Sequence, residues 1–136
     1  EYLKAYCSFW VIGLARRAGK KPDALATNYI RRLSAETWYG KLARLVRGEV
    51  SFDQLSAKTN KVGQRAELYY YWADQLLAKG KLEQARKLWK RVLQTKMLAF
   101  FEYDMASHNL RHGPATVKDR PVDRKEPKKN QARLAP

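Results

Sequence analysis

Glycine returns along this chain at Gly19, Gly48, Gly80 and Gly113, with gaps of 29, 32 and 33 residues, and each closes an amphipathic stretch. Aromatic residues lie nine to ten positions upstream each time, at Phe9–Trp10, Trp38–Tyr39, Tyr70–Tyr71 and Tyr103. A period near 33 residues made of helix, glycine turn and helix predicts a stack of helical hairpins. One such hairpin cannot bury its apolar stripe alone, so each needs a neighbour, and the stack presents an extended surface to other macromolecules. The pattern therefore points to recognition rather than chemistry.

Seven helices are expected. The first runs from Tyr2 to Ala18, and the second opens with Pro22 in its first turn, where the missing N–H costs nothing, and continues to Leu33. Ser34 is the expected N-cap of the third, with Thr37 three residues on, and its stripe is Trp38, Leu42, Leu45 and Val46. Ser51 caps a short fourth helix from Phe52 to Lys58, after which Thr59 to Gly63 reads as a break. Tyr69, Trp72, Ala73 and Leu76 recur at i, i+3, i+4 and i+7 on the fifth, which stops at Lys79-Gly80. The sixth carries Leu82, Ala85, Trp89, Val92 and Leu93, with Glu83 and Lys87 spaced for an i,i+4 ion pair. The seventh, Leu98 to Arg111, is expected to bury Phe101, Met105 and Leu110 or their neighbours before Gly113-Pro114.

Residues 66–93 resemble a tetratricopeptide repeat. Tyr69, Trp72, Ala73, Gly80, Ala85 and Trp89 stand at the spacing of that family's aromatic, small, turn and second aromatic positions. The alanines let two helices approach closely, and the glycine supplies the turn conformation. The proline that often ends such repeats is absent, with Met97 near its place, so an unusual connection is expected there. Gly19 with Ala24 keeps part of the pattern, whereas Asp53 stands where alanine would follow Gly48. The resemblance implies an all-α antiparallel helical-hairpin solenoid over residues 1–113, of about three hairpins and a C-terminal capping helix. Residues 114–136, rich in charge and proline and without aromatics, are expected to form a basic disordered or extended tail. Residues 9–110 also resemble, more weakly, bacterial repeat-containing envelope lipoproteins that bring peptidoglycan hydrolases together with other enzymes. That likeness implies an envelope or periplasmic setting; without it, a soluble intracellular one is expected.

Charge narrows the partner. The 136 residues carry 28 Lys/Arg against 13 Asp/Glu, a net +15, with a pI near 10.1. Residues 1–110 hold 20 basic against 10 acidic side chains, so the helical body is basic in its own right. Such a chain favours an acidic protein segment, nucleic acid or an anionic surface. The longest apolar run, Phe9 to Ala15, falls far short of a membrane span. The lone Cys7 excludes an internal disulfide and reads as a buried, inert thiol; Lys4-Ala5-Tyr6 before it does not suit a lipoprotein cleavage site. No signal peptide is visible, and the chain opens inside an expected helix without an initiator methionine, which leaves room for upstream residues.

Two sets of residues are candidate sites. The aromatic column, Trp10, Trp38, Tyr39, Tyr70, Tyr71 and Tyr103 with Asp74, is expected to line a concave partner-binding groove. Adjacent helical residues diverge by about 100°, so one member of each pair should face the groove and the other the core. The second set is a basic surface: Arg16, Arg17, Lys20, Lys21, Arg31, Arg32, Arg44, Arg47, Arg86, Lys87, Lys90 and Arg91, several of them at helix C-termini, where they also answer the dipole. His108 and His112 have metal-ligand spacing with Asp104 one turn earlier, but no wider ligand cluster accompanies them, and no metal or cofactor is expected. No phosphate loop or nucleophile motif is present. The expected function is a non-enzymatic protein–protein adaptor that holds an acidic or extended partner segment in the aromatic groove. The alternative is a structural RNA-associated subunit of a ribonucleoprotein that uses its basic body and tail.

Overall fold

Three of the four periodic glycines end their helices in one and the same way. Gly19 N–H donates to Arg16 O (3.0 Å) and Lys20 N–H reaches back to Ala15 O (2.8 Å). Gly48 and Glu49 bond Leu45 O and Arg44 O, and Gly80 and Lys81 bond Leu77 O and Leu76 O, all at 2.9 Å. The pattern needs a left-handed residue, and φ is +64°, +79° and +74° at the three glycines.

A computed structural model of the chain describes residues 2–114. The protein is all-α, with seven helices and no strand among the described residues: α1 (Tyr2–Arg17), α2 (Ala24–Arg31), α3 (Trp38–Arg47), α4 (Phe52–Ser56), α5 (Val62–Ala78), α6 (Leu82–Gln94) and α7 (Phe101–His112). The expected tail falls, from residue 115 onward, outside the described residues.

Helix starts differ from the sequence expectation where two caps compete. Asp23, not Pro22, opens α2, accepting from Ala26 N–H (2.9 Å), and Pro22 lies before the helix. At α3 the cap is Thr37, whose Oγ1 accepts from Gly40 N–H (3.1 Å), while Ser34 begins a turn closed by Thr37 N–H to Ser34 O. Ser51 caps α4 as expected, and Gln54 completes the reciprocal bond to the Ser51 N–H. Val62 and Gly63 belong to α5 rather than to the break before it. The α6–α7 connection is unusual, as the missing proline suggested: Lys96 takes the left-handed turn itself, with φ +55°.

Consecutive helices pack on one another, and α1, α3, α5 and α7 also touch in series. One further contact matters most: α1 lies directly against α5. As a result α5 is enclosed by α1, α3, α4, α6 and α7, and its buried residues (Ala66, Leu68, Tyr70, Tyr71, Ala73, Leu76) do not fall on a single stripe. Phe9, Ile12, Ile30, Leu42, Leu45, Leu68, Trp89 and Val92 fill the core, and Ala66, Ala73 and Ala85 are wholly buried.

The seventh helix buries the neighbours of its three expected apolar residues rather than those residues themselves. It buries Glu102, Ala106 and Asn109, leaves Met105 and Leu110 partly covered, and exposes half of Phe101. The cause is polar, since Glu102 turns inward to a tyrosine of α5, as described next. No helix among the described residues is long and apolar enough to cross a membrane.

Candidate functional site

Two carboxylates on helices α5 and α7 organise the space between α1 and α7. Glu67 sits one turn before Tyr71 on α5, and Glu102 lies in the first turn of α7. Tyr6 of α1 donates to Glu67 Oε1 (2.9 Å), and the Trp38 indole N–H of α3 donates to Glu67 Oε2. In parallel, Trp10 Nε1–H donates to Tyr71 Oη (3.2 Å), which in turn donates to Glu102 Oε1 (2.9 Å). Two aromatic hydrogen-bond strings therefore tie four helices together, and each ends on a carboxylate.

Neither carboxylate has a cation beside it. The ion pairs among the described residues are Arg17–Asp74, Arg44–Glu49 and Arg47–Glu49. Burial pushes the Glu67 carboxyl up to about 7, opposed by the Trp38 and Tyr6 hydrogen bonds and reinforced by the charge of Glu102. Glu102 is raised for the same leading reason, burial, against the Tyr71 bond and its own backbone N–H. Tyr6 and Tyr71 are pushed far up, first by burial and then by these carboxylates. Neutral donors are all that face the two acids.

Above this pair opens a cleft of about 660 Å³. Tyr6, Trp10, Phe100 and Phe101 form its walls, Glu67 and Glu102 line it, and Tyr2, Leu3, Cys7, Val11 and Ala99 complete the rim. Trp10 and Phe101 meet edge-on with centroids 3.9 Å apart, while Tyr70 stacks behind Trp10 at 6.2 Å. Tyr2, Leu3, Val11 and Phe101 are exposed large apolar side chains at this mouth. Cys7 is exposed on the same rim, which corrects the expectation of a buried thiol.

The expected aromatic column divides on inspection. Trp10 lines the cleft; Trp38 stands behind it, holding Glu67. Tyr39 is partly buried against the core, and Tyr103 is half-buried on α7. Tyr70 and Tyr71 are each only 3 % exposed, so the expectation that one of them faces a groove is corrected. With α1 lying across α5, both directions that a neighbouring pair can point are inward. Asp74 does not line the cleft either: its Oδ1 lies 3.2 Å from Arg17 Nε, in a nearly covered ion pair.

The basic set divides as well. Arg17 is consumed by Asp74; Arg16 donates to Val46 O (2.6 Å) at the C-terminus of α3, and Arg47 to Ile30 O (3.1 Å) near the end of α2. These are helix-end ties rather than free surface charge. Lys20, Lys21, Arg31, Arg32, Arg44, Lys87, Lys90 and Arg91 are exposed, and Arg86 is partly so. Glu83 and Lys87 form no ion pair. His108 and His112 lie with ring centroids 4.9 Å apart and planes tilted by 41° on an exposed turn, and among the described residues no three potential metal ligands gather.

Sequence reasoning missed Tyr6, Glu67, Phe100, Phe101 and Glu102 as site residues. A signal was present: each glutamate interrupts an apolar run, Ala66-Glu67-Leu68 and Phe100-Phe101-Glu102-Tyr103, on the side of the helix that periodicity assigns to neither face. No protein-family model matches this sequence, and no curated protein and no solved structure matches it. The fold thus defines an all-α protein, and its functional reading rests on the cleft itself.

Proposed function

We propose that this protein is a non-enzymatic adaptor of the tetratricopeptide-like solenoid kind, and that an extended segment of a partner protein lies in the cleft between α1 and α7. The observation that carries this reading is the cluster of large apolar side chains, Tyr2, Leu3, Val11 and Phe101, left exposed around a concave, aromatic-walled opening. Scattered apolar residues on a surface are ordinary, but a contiguous set around a cavity is the usual mark of a docking site. The serial contacts of α1, α3, α5 and α7 support the solenoid assignment, while the direct α1–α5 contact joins the first and third hairpins and departs from an open solenoid, in which each repeat touches only its neighbours.

The test uses a random peptide library panned on the full chain. Peptides selected on the wild type should lose at least tenfold in affinity for Phe101→Ser, a change that adds no charge to the cleft, and a retained cooperative melt, expected for a half-exposed side chain, separates that loss from unfolding. Capping Cys7 with a bulky maleimide should block the same peptides. Selection of peptides indifferent to both changes would reject the cleft.

The ribonucleoprotein reading is favoured by a different observation. A second opening, of about 430 Å³, is lined by Lys20 and Lys79 beside the backbone-tied Arg16 and Arg47, with no acidic residue. Under that reading RNA affinity falls steeply with salt, is unaffected by Phe101→Ser, and is lost on charge reversal of Lys20 and Lys79.

A further inference from the structure

The adaptor reading leaves the chemistry of the occupant open, and the overall charge of +15 invites an acidic one. The cleft itself says otherwise. In a chain with 28 Lys/Arg, none lines this opening, and its charged side chains are Glu67 and Glu102. We propose that the cleft captures an organic cation on an apolar stem, namely a lysyl or arginyl side chain presented by the partner segment, between the rings of Tyr6, Trp10, Phe100 and Phe101 and the carboxylates of Glu67 and Glu102.

Three features converge on that occupant, which rests on the adaptor reading for its delivery by a protein. First, carboxylates removed from water are ordinarily paired with a cation, and here the buried Glu102 and the partly buried Glu67 are met by neutral donors alone. Each carboxylate still has lone pairs beyond the hydrogen bonds it accepts. Second, aromatic walls attract a cation to their faces while covering its methylene stem, so head and stem are recognised together. Third, an anionic occupant would meet two carboxylates lining one cleft, where the charge of Glu102 already raises the proton affinity of Glu67, and a neutral one would leave their charge uncompensated.

The test needs no knowledge of the partner. Hexylammonium, hexylguanidinium, hexanol and hexanoate share one stem and differ in the head group. They are titrated into the full chain at pH 8, above the raised value of Glu67, while the indole N–H resonances of the four tryptophans are followed. The two cations should shift Trp10 and Trp38 saturably, with Trp72 and Trp89 as silent controls. Hexanol should bind at least fivefold more weakly and hexanoate should not saturate. The preference for cation over alcohol should vanish in Glu67→Gln/Glu102→Gln, and each single glutamine variant should show part of that loss should the double variant not fold. Hexanol or hexanoate binding as tightly as hexylammonium overturns the proposal, whatever the variants do. If selected peptides depend on Phe101 but the probes show no cation preference, the adaptor reading stands and the cation site falls. If the cations bind but no Phe101-dependent peptide exists, the reverse holds.

Discussion

The hydroxyl of Tyr71 both accepts from Trp10 and donates to Glu102, so a single atom joins α1, α5 and α7. Tyr71→Phe keeps the ring and deletes that atom, leaving a buried carboxylate short of a donor. The cost should be about 1–3 kcal/mol, read as a lower urea midpoint with unchanged slope; an unchanged midpoint would show that the string carries no stability. Gly13 poses the opposite case. In mid-helix it is about 1 kcal/mol worse than alanine, yet a Cβ there would stand 2.0 Å from Asp74 Oδ2. Because that carboxylate is held beside Arg17, it cannot simply swing away, and Gly13→Ala should destabilise rather than stabilise. Ala85, wholly buried on α6, is a close-packing point of the same sort. Ala85→Leu should cost about 1–3 kcal/mol through overpacking, and a melting temperature equal to the wild type's would contradict its burial.

Among the elements, α4 has least to hold it. It is five residues long and buries Leu55, with Phe52 packed beside Tyr69 and Trp72 of α5. So short a helix depends on its ends, and its capping box satisfies two otherwise orphan N–H groups. Ser51→Ala should therefore cost about 1 kcal/mol and raise amide exchange in 52–56 before any other segment; uniform exchange across the chain would mean that α4 opens only with the whole fold. The α7 helix shows how an element's face is chosen. Its apolar side chains alone would bury Phe101 and Met105, but an inward Glu102 meets the Tyr71 hydroxyl and fixes the rotation. Phe101 is thereby left at the cleft mouth, and the site follows from that rotation.

For the molecule as a whole, the buried acids set the response to pH. Glu67 is raised to about 7, and Asp74 and Glu102 are raised too, in each case chiefly by burial. The folded state thus holds protons that the unfolded chain has released, so stability contributed by these groups is present below the ordinary carboxyl range and falls as pH rises toward 7. Wild-type stability should decline from pH 5 to pH 8. In Glu67→Gln the decline should be shallower, since the titrating carboxyl is gone while the amide can still accept from Trp38 and donate to the Tyr6 oxygen. Denaturant midpoints at the two pH values check this, and parallel declines in both proteins would contradict the assigned cause.

Local chemistry written in the sequence determined a large part of this protein. Glycines at a helical-hairpin period, a serine cap and apolar residues at 3.6-residue spacing specify which segments are helices and where they stop, because turn sterics and hydrogen-bond closure involve neighbours in the chain. Where two local signals competed, as with Pro22 against Asp23 and Ser34 against Thr37, the boundary moved by a few residues only. What periodicity could not convey was which helices share α5. The packing of α1 across it buries Tyr70 and Tyr71 together, turns Arg17 into Asp74's partner, and brings Glu67 and Glu102, 35 positions apart in the chain, to one cleft. Burial of a polar group depends on contacts between distant segments, and its cost is met only by donors that those segments supply. The candidate site was therefore decided by the tertiary structure.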